Sequence, residues 1–362
     1  MFSAHDHEFM ARALRLAERG LYTTTPNPRV GCVLVRDDAV VGEGWHERAG
    51  EAHAEIHALN AAGNLARGGT AYVTLEPCSH HGRTPPCAGA LIAAGVARVV
   101  AAMRDPNPQV AGQGLAQLAA AGIVVADGLL AQEARELNRG FVSRMERGRP
   151  WLRLKLAASL DGKTALNNGR SQWITGPEAR RDGHAWRARA CAILTGAGTV
   201  RDDDPRLNVR DVETSRQPLR VVVDSHFETP PTARILEGGK TLLVAAKEDA
   251  PKIAALRAAG AEVIVLPNPQ GKVDLARLMA TLAGRGVNEL HVEAGHKLNG
   301  SLMREGLVDE LLLYYAPTIL GSGREMFPLP EIADLAGRRD LKILDLRRVG
   351  ADVRILARPL AA

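Results

Sequence analysis

The residues best suited to chemistry lie early in the chain, in the two runs His53–Glu55 and Glu76–Cys87. These runs contain one histidine and two cysteines in an order that suits a bound metal. Thiolate and imidazole are ligands that zinc prefers, and three protein ligands leave a fourth position for water. His53, Cys78 and Cys87 are therefore predicted to bind one zinc ion. Such a metal lowers the pKa of its bound water to about 7, which makes hydroxide available at neutral pH.

Glu55 lies two residues after His53, too close to it to be a comfortable fourth ligand. We predict instead that its carboxylate takes a proton from the water and passes it to a leaving amine. A His-x-Glu run followed by Pro-Cys and a second Cys is the signature of zinc deaminases. That signature has two residues between its cysteines, whereas eight separate Cys78 from Cys87 here. Taken singly, the cysteines would be interpreted as buried thiols and the histidine as unrelated to them. The four residues His53, Glu55, Cys78 and Cys87 together, in this order, favour a metal site.

Two further features near this pattern are candidates for substrate contacts. The wide loop between the cysteines carries His80, His81 and Arg83, which could face a substrate or a phosphate. Asn27 is held between two prolines, and its amide can pair with the donor and acceptor edge of a heterocycle. From the residues alone, a substrate contact and a simple turn residue are equally good interpretations of Asn27.

The length and composition limit the class of protein. A chain of 362 residues corresponds to two domains at about 150 residues each, and a hydrophobic fraction of 46% is ample for two cores. The net charge of +5 is not gathered in a basic block, and only 4% of the residues are aromatic, which argues against a nucleic-acid partner. No apolar run approaches about 18 residues, so we expect no membrane partner. Few cysteines and the lack of a signal sequence predict a cytoplasmic protein.

Alternating strands and helices predict a layered α/β domain in the first part of the chain. A helix is expected over Ser3–Arg19, with Ser3 and Asp6 forming a capping box. The elements expected to position the metal site are a helix over 52–62 with His53 and Glu55 in its first turn, a strand over 70–75, and a helix over Cys87–Ala94. Helix starts that face a strand end are where α/β sites form.

A charged, proline-marked hinge follows a helix predicted within 127–149 and divides a domain of residues 1–147 from one of residues 148–362. The strands expected in the second domain cover 152–158, 190–194, 219–224, 241–245, 262–266, 290–293, 311–316 and 353–357. Two glycine turns, at Gly196–Gly198 and at Gly295, follow strands and precede helices, where backbone N–H groups can hold a phosphate. On the residues alone, ordinary strand-to-helix punctuation is the favoured interpretation of each turn.

The two halves together resemble the bifunctional deaminase–reductase family of riboflavin biosynthesis, over nearly the whole chain. The motifs that carry the resemblance are Pro26–Cys32, His53–Glu55, Glu76–Cys87, Lys155–Lys163, Ser171–Thr175, Asp202–Pro205 and Val292–Gly295. The wide cysteine loop, unusual for a generic deaminase, is what this family shows. The resemblance implies an α/β fold with an N-terminal cytidine-deaminase-like three-layer domain and a C-terminal dihydrofolate-reductase-like domain.

The same resemblance implies two consecutive reactions on a small phosphorylated pyrimidine. A zinc-dependent step would hydrolytically deaminate 2,5-diamino-6-(5-phosphoribosylamino)pyrimidin-4-one, and an NADPH-dependent step would then reduce the ribosyl group to ribityl. The resemblance also implies a homo-oligomer, a dimer or a tetramer. An alternative is a zinc deaminase of a free base or nucleoside with a non-catalytic second domain. A nucleic-acid-editing deaminase is disfavoured by the few aromatic residues and the dispersed basic ones.

The family pattern also implies binding residues by position. The implied substrate contacts are Asn27, Lys155, Ser171, Arg187, Leu207, Arg210 and Glu293. The implied dinucleotide contacts are Ala157, Trp173, Thr199, Asp203, Ser225, Gly295, His296, Lys297, Leu298, Asn299, Gly300 and Ser301. Arg187 and Arg210 make chemical sense as clamps on the sugar phosphate, because guanidinium binds phosphate through two hydrogen bonds.

Overall fold

The computed structural model describes residues 2–79, 86–108 and 110–360. The chain divides into two compact units, Met1–Gly148 and Arg149–Ala362, here called the N-terminal and C-terminal units. The division lies beside the hinge expected from the charged, proline-marked run. Among the described residues, no helix combines the length and apolar character needed to cross a membrane.

The N-terminal unit is built on a five-stranded sheet in the order β2-β1-β3-β4-β5. Its helices and strands are α1 (Ala4–Glu18), β1 (Gly31–Arg36), β2 (Ala39–Trp45), α2 (Ala54–Ala62), β3 (Thr70–Val73), α3 (Cys87–Ala94), β4 (Arg98–Ala101), α4 (Gln113–Ala120), β5 (Val124–Asp127), α5 (Ala131–Leu137) and α6 (Arg139–Arg147). Strand β1 is antiparallel to β2 and β3, whereas β3, β4 and β5 run parallel. The carboxyl ends of the parallel strands therefore lie along one edge, where the Glu76–Cys78 segment leaves β3.

Glycines in β1 and β2 show that helices cover both faces of this sheet. A Cβ built on Gly31 would lie 2.0 Å from the carbonyl oxygen of Ala13 in α1. One built on Gly42 would lie 2.3 Å from the carbonyl oxygen of Ala58 in α2. Gly42 pairs with Leu34, three residues after Gly31, so the two glycines point to opposite faces. Close helix contacts on both sides make this unit a three-layer α/β domain.

Helix α1 begins with the expected capping box. The backbone N–H of Asp6 donates to Ser3 Oγ at 3.0 Å, and the N–H of Ser3 donates to Asp6 Oδ2 at 2.8 Å. The buried Asp6 carboxylate also accepts hydrogen bonds from Arg98 Nη1 and the Tyr72 hydroxyl, both at 2.7 Å. Burial alone would raise the pKa of Asp6, but these hydrogen bonds outweigh it and hold the pKa well below its usual range. The cap therefore also ties α1 to strands β3 and β4.

The C-terminal unit contains a nine-stranded sheet in the order β11-β10-β9-β8-β12-β6-β13-β16-β15 and a two-stranded ribbon of β7 and β14. Its helices and strands are β6 (Trp151–Ser159), β7 (Lys163–Leu166), α7 (Pro177–Arg189), β8 (Ala192–Gly196), α8 (Ala197–Asp203), β9 (Leu219–Val223), β10 (Thr241–Ala245), α9 (Ala250–Ala258), β11 (Ala261–Val265), α10 (Leu275–Gly284), β12 (Glu289–Val292), α11 (His296–Arg304), β13 (Glu310–Ala316), β14 (Gly323–Glu325), β15 (Leu341–Val349) and β16 (Asp352–Pro359). Strands from β11 to β13 in this order are parallel, and β16 and β15 are antiparallel to their neighbours.

Alternate residues of the parallel strands enter two separate apolar cores. Leu194 and Val221 belong to one cluster and Ile193 and Val222 to the other, so each strand has apolar side chains on both faces. This is the pattern expected of a parallel sheet covered on both sides. Strand β12 is inserted between β8 and β6, although it follows both in the chain. In an open parallel sheet, the strand order reverses at such a point, and a crevice suited to ligands forms outside the carboxyl ends of the strands there.

Helix α7 packs on charged groups as well as on apolar ones. Arg153 is fully buried, and its guanidinium bonds to Glu310 Oε1 at 2.6 Å and Glu289 Oε2 at 3.2 Å. The ring of Trp186 in α7 lies 4.4 Å from that guanidinium. Arg189, also in α7, donates to Glu289 Oε2 at 2.8 Å. These paired charges fix α7, and with it Arg187, against β6 and β12.

Two expectations about local structure were wrong, and strand β15 was missed. His53 is the N-cap of α2, with an extended backbone, and does not lie within the first turn. The single helix expected before the hinge is two helices that meet at Asn138, whose buried side chain bonds to both backbone groups of Arg29 at 2.8 and 2.9 Å. Strand β15 was not expected, because its mixed, mostly exposed side chains follow neither a helical nor a regular strand period.

Candidate functional site

Three potential metal ligands lie together in the N-terminal unit. His53 Nδ1 is 3.6 Å from Cys78 Sγ and 3.3 Å from Cys87 Sγ, and the three ligand atoms all lie within 4.8 Å of one another. Zinc bonds of about 2.3 Å to sulphur and about 2.0 Å to nitrogen, at a tetrahedral angle, separate the two ligand atoms by about 3.6 Å. The spacing and the donor set therefore fit one zinc ion with a position left for water.

The starts of two helices position these ligands. His53 precedes α2, and Cys87 is the first residue of α3. The N–H of Cys87 donates to Cys78 Sγ at 3.3 Å, and the N–H of Ala88 donates to the carbonyl oxygen of Cys78 at 3.1 Å. A helix N-terminus stabilises nearby negative charge, such as a thiolate. The pKa of Cys78 is lowered to about 4, chiefly by a side-chain hydrogen bond with Cys87 and also by His53, and the pKa of Cys87 is raised by the same bond.

Glu55 lies in the first turn of α2 and is only 3% exposed. Burial, with a smaller contribution from Cys78, raises the pKa of its carboxyl group to about 7. A group with a pKa near the working pH can both take and give a proton. The charge of Glu55 also acts on the buried thiol of Cys32 in β1, whose pKa is raised by burial and by that charge. The environment of Glu55 therefore suits the proton-transfer role predicted for it.

Asn27 is connected to the metal cluster through a histidine that the sequence reasoning missed. Asn27 Nδ2 lies 3.0 Å from His46 Nε2, and His46 Nδ1 lies 3.0 Å from the carbonyl oxygen of Ala52. The carbonyl can only accept, so Nδ1 carries the proton and Nε2 accepts from the Asn27 amide. The ring centroids of His46 and His53 are 5.3 Å apart. His46 thus orients Asn27 beside the metal ligands. The predicted contacts of His80, His81 and Arg83 lie outside the described residues.

In the C-terminal unit, three of the implied substrate contacts form one ionic cluster. The carboxylate of Glu293, just after β12, accepts from Arg187 Nε and, at 2.9 Å, from Arg187 Nη2. Lys155 Nζ in β6 lies 3.7 Å from Glu293 Oε2. Burial would raise the pKa of Glu293, but Arg187 and Lys155 outweigh it and hold the pKa well below its usual range. The Arg187 guanidinium is therefore paired with Glu293, and its implied role as a phosphate clamp stays a prediction.

Arg210 lies near this cluster with an exposed guanidinium, whose Nη1 donates to Asn208 Oδ1 at 2.6 Å. Its backbone N–H donates to His184 Nδ1 at 3.3 Å. Burial and the charges of Arg187 and Arg210 lower the pKa of His184 to about 4, so the histidine is neutral between the two arginines. The sequence reasoning did not identify His184. Of the other implied contacts, Leu207 is a buried core residue and Ser171 is half-buried.

The two predicted glycine turns face each other at the carboxyl ends of β8 and β12, which pair in parallel. A Cβ built on Gly295, the N-cap of α11, would lie 3.7 Å from Thr199 Oγ1 in α8. One built on Gly196 would lie 3.3 Å from Leu298 Cδ2 in α11. The backbone N–H groups of the first turn of α11 have no partner within the helix and can hold an anion. This cradle fits the pyrophosphate of a dinucleotide such as NADPH.

The remaining implied dinucleotide contacts are more widely distributed over the C-terminal unit. Ala157 lies in β6, and Ser225 follows β9. Trp173 is 70% exposed, and its ring lies 4.7 Å from the Arg180 guanidinium. Asp203 accepts a hydrogen bond from Gln172 Nε2 at 3.0 Å. His296, Lys297, Asn299, Gly300 and Ser301 all lie in α11. From that helix, the side chain of Asn299 donates to the carbonyl oxygen of Ala294, which precedes it, at 3.0 Å, and a Cβ on Gly300 would lie 2.6 Å from Pro328. These two residues therefore support the turn through structural contacts.

Both units match families of known proteins. Residues 3–103 match the family model of the cytidine and deoxycytidylate deaminase zinc-binding region, and residues 150–355 match that of the RibD C-terminal domain. The chain is 52% identical to the riboflavin biosynthesis protein RibD of Escherichia coli strain K12, over 96% of this chain and 98% of that protein. The Cys-rich motif and the glycine turns thus fall within matched regions.

Solved structures agree with these matches over both units. The structure of Acinetobacter baumannii RibD, form 1, has a TM-score of 0.92 and 43% identity, covering 99% of each chain. A diaminohydroxyphosphoribosylaminopyrimidine deaminase/5-amino-6-(5-phosphoribosylamino)uracil reductase from Thermotoga maritima has a TM-score of 0.85 and 32% identity, covering 98% of this chain and 99% of that one. The predicted fold class, a cytidine-deaminase-like domain followed by a dihydrofolate-reductase-like domain, is confirmed.

Proposed function

Since this chain belongs to the RibD family of riboflavin-biosynthesis proteins, we propose that its two reactions occur at the two residue clusters described above, one in each unit. The chain is a bifunctional enzyme with zinc and NADPH as cofactors, and a deaminase step precedes a reductase step. The substrate is 2,5-diamino-6-(5-phosphoribosylamino)pyrimidin-4-one, a small phosphorylated pyrimidine. A non-catalytic second domain is not favoured, because residues 150–355 match the RibD C-terminal domain.

For the deaminase step, the supporting observation is the cluster of three ligand atoms within 4.8 Å beside the buried Glu55. His53, Cys78 and Cys87 would hold zinc, which when bound supplies hydroxide at neutral pH. Glu55 takes the proton of the water and later delivers it to the exocyclic nitrogen. The water oxygen replaces that nitrogen on the ring, and ammonia leaves.

Asn27 would hold the pyrimidine in register for this exchange. Because its amide nitrogen donates to His46 at 3.0 Å, the amide oxygen has a set direction and can accept from a ring N–H or an amino group. His46 accepts this hydrogen bond and is buried, so its ring keeps its orientation without a substrate. Asn27 is therefore the candidate for reading the heterocycle edge, and His46 is the residue that positions it.

For the reductase step, the glycine turns at Gly196 and Gly295 would hold the dinucleotide. NADPH when bound supplies a hydride to the sugar carbon attached to nitrogen, and a proton completes the reduction of ribosyl to ribityl. The cluster of Arg187, Glu293 and Lys155 would line the sugar site, because Glu293 directly follows the carboxyl end of β12 and Lys155, in the middle of the neighbouring β6, lies 3.7 Å from it. Arg210, with its exposed guanidinium, is the better placed of the two arginines to bind the phosphate.

A homo-oligomer is proposed through the edge strand β15. Its side chains Leu341, Ile343, Leu344 and Leu346 are 39–62% exposed, although the strand closes one edge of the nine-stranded sheet. An edge strand with apolar side chains readily pairs with another chain. We propose a second copy as its occupant, related by a two-fold axis. The predicted cytoplasmic location and the absence of nucleic-acid and membrane partners stay predictions.

The oligomer is tested by sedimentation of an Ile343→Lys, Leu346→Glu variant. Charges on this edge should reduce the assembly to smaller species. Val124→Glu is the matched control. It also places a charge on an exposed apolar residue, 63% exposed, but that residue lies in the N-terminal unit and not in β15. If the β15 variant keeps the mass of the parent, the proposed interface is wrong.

The two-step function is tested by incubating the purified chain with the diaminopyrimidine phosphate, with and without NADPH. Ammonia should appear in both incubations, and loss of NADPH absorbance should follow only when the deaminated product has formed. The proposal would be contradicted if a ribityl product formed without any release of ammonia. It would also be contradicted if the chain deaminated a free base but left the diaminopyrimidine phosphate unchanged.

A further inference from the structure

Glu76 lies two residues before the ligand Cys78, and its carboxylate is 3% exposed. It accepts four backbone N–H groups: Oε2 from Asp105 at 3.1 Å and Gly112 at 2.9 Å, and Oε1 from Gly114 at 2.9 Å and Leu115 at 3.3 Å. Four donors on one buried carboxylate are as many as its two oxygens commonly accept.

These donors include the start of α4. Gly112 is the N-cap of that helix and has no side chain to offer, while Gly114 and Leu115 are its second and third residues. The first N–H groups of a helix have no partner within it, and a side-chain oxygen normally satisfies them from the N-cap position. Glu76 performs this task from the end of β3, so the cap of α4 is supplied by the segment that carries Cys78.

The backbone beside Glu76 is fixed against the same helix. A Cβ built on Gly114 would lie 1.9 Å from the carbonyl oxygen of Pro77, so only glycine allows this contact. The N–H of Glu76 donates to the carbonyl of Met103 at 2.9 Å. Side chain and backbone therefore hold residues 76–77 on α4 and on the end of β4, and the position of Cys78 follows from theirs.

We propose that Glu76 is a positioning residue of the zinc site, which rests on the proposed metal role of Cys78. The start of α3 holds the sulphur and carbonyl of Cys78 from one side, through the N–H groups of Cys87 and Ala88. Glu76 fixes the chain from the other side. A metal site needs its ligands within about 0.5 Å of the productive geometry. Partners outside the ligand set commonly change metal affinity by about 10- to 100-fold.

The test is Glu76→Gln, which keeps the size of the side chain but turns one acceptor oxygen into a donor facing two backbone N–H groups. Two readouts apply: the rate of zinc release to a chelator, and the absorption spectrum of the cobalt-substituted chain, which reports the thiolate geometry. Zinc release should be about 10- to 100-fold faster and the cobalt bands should shift. A parental release rate together with a parental spectrum would overturn the proposal.

A control separates positioning from a general loss of stability. Gly122→Ala strains a backbone with φ of 84° just beyond the other end of α4, and its Cβ meets nothing within 4 Å. It should lower the melting temperature and leave the cobalt spectrum unchanged. If Gly122→Ala shifts the cobalt bands in the same way as Glu76→Gln, the role of Glu76 is only to stabilise the fold, and the proposal fails.

Two more variants complete the design. Glu76→Asp keeps the charge but withdraws the carboxylate by about one C–C bond, ~1.5 Å. It should release zinc faster than the parent, and a parental rate would overturn the inference even if Glu76→Gln does not fold. Cys78→Ser tests the proposed function itself. If Cys78→Ser retains zinc as well as the parent, the metal site is wrong; if it loses zinc while both Glu76 variants retain it, only the positioning role is wrong.

Discussion

Removing the carboxylate of Glu293 should destabilise the C-terminal unit. Glu293 is paired with Arg187 through two hydrogen bonds and with Lys155 at 3.7 Å, and the three side chains are 14–22% exposed. Removing one partner of a buried pair costs about 3–5 kcal/mol, because the remaining charge is left uncompensated. Partial access of water favours the lower end, about 3 kcal/mol. For a unit of roughly 200 residues, each kcal/mol shifts the melting temperature by about 2–4 °C, so Glu293→Gln should lower it by about 6–12 °C.

The matched control is Glu262→Gln. Glu262 also accepts two hydrogen bonds from one arginine, Arg285, at 2.5 and 2.7 Å, but the side chains are 55% and 32% exposed. Exposed pairs contribute about 0–1 kcal/mol, so this variant should melt within about 4 °C of the parent. Calorimetry of the full chain at neutral pH measures both. Equal melting temperatures for the two variants would refute the reasoning from burial.

The effect of Glu293→Gln should also depend on pH. The pKa of Glu293 is held well below its usual range, so the unfolded chain takes up the proton first as the pH falls. The stabilising contribution is therefore fully present above about pH 5 and declines below the unfolded pKa of about 4.3. The difference between parent and variant should shrink as the pH is lowered from 5 to about 3. A difference that grew over this range would contradict the assignment of the charges.

Three further predictions concern the N-terminal unit. Asp6→Asn should destabilise this unit by about 1–3 kcal/mol above about pH 4. The effect should be smaller at lower pH, because the pKa of Asp6 is lowered in the folded state and acid therefore removes its stabilising contribution. Thermal denaturation at several pH values checks this. Cys78→Ser should lose zinc and deamination together, from about one zinc per parent chain, as metal analysis would show. His46→Phe should retain zinc but lower kcat/KM for deamination by about 10-fold, because Asn27 loses the acceptor that orients it.

The metal site could be predicted because its residue types carry the chemistry. His53, Cys78 and Cys87 are rare together, and the structure brings their ligand atoms within 4.8 Å. His46 could not be found in the same way, because its role depends on β2 ending beside Asn27, a contact between residues 19 positions apart. Its only local signal is its place directly after the strand, which many histidines share.

In the C-terminal unit, the residues alone favoured ordinary punctuation for the glycine turns, and only the family resemblance implied dinucleotide contacts there. The ionic cluster could be found only from the fold. Arg187 and Glu293 are 106 positions apart, so their pairing depends on α7 crossing the end of β12. The family resemblance implied Arg187 as a substrate contact by position, and its guanidinium suited a phosphate clamp, but neither indicated the pairing with Glu293. Strand β15 was missed for a related reason: its side chains are mostly exposed and show no buried face, and it becomes a strand only through its pairing with β16.

The central claim is that two reactions occur at two separate sites, and a crossed assay of two variants tests it most directly. Glu55→Gln should lose most deamination, about 10²–10⁴-fold, yet still reduce the deaminated ribosylaminouracil phosphate with NADPH. Arg210→Ala should release ammonia at the parental rate but reduce roughly tenfold less efficiently, because an exposed charged hydrogen bond contributes about 1.5 kcal/mol. If either substitution abolished both activities in folded, zinc-loaded protein, the account of two independent sites would be wrong.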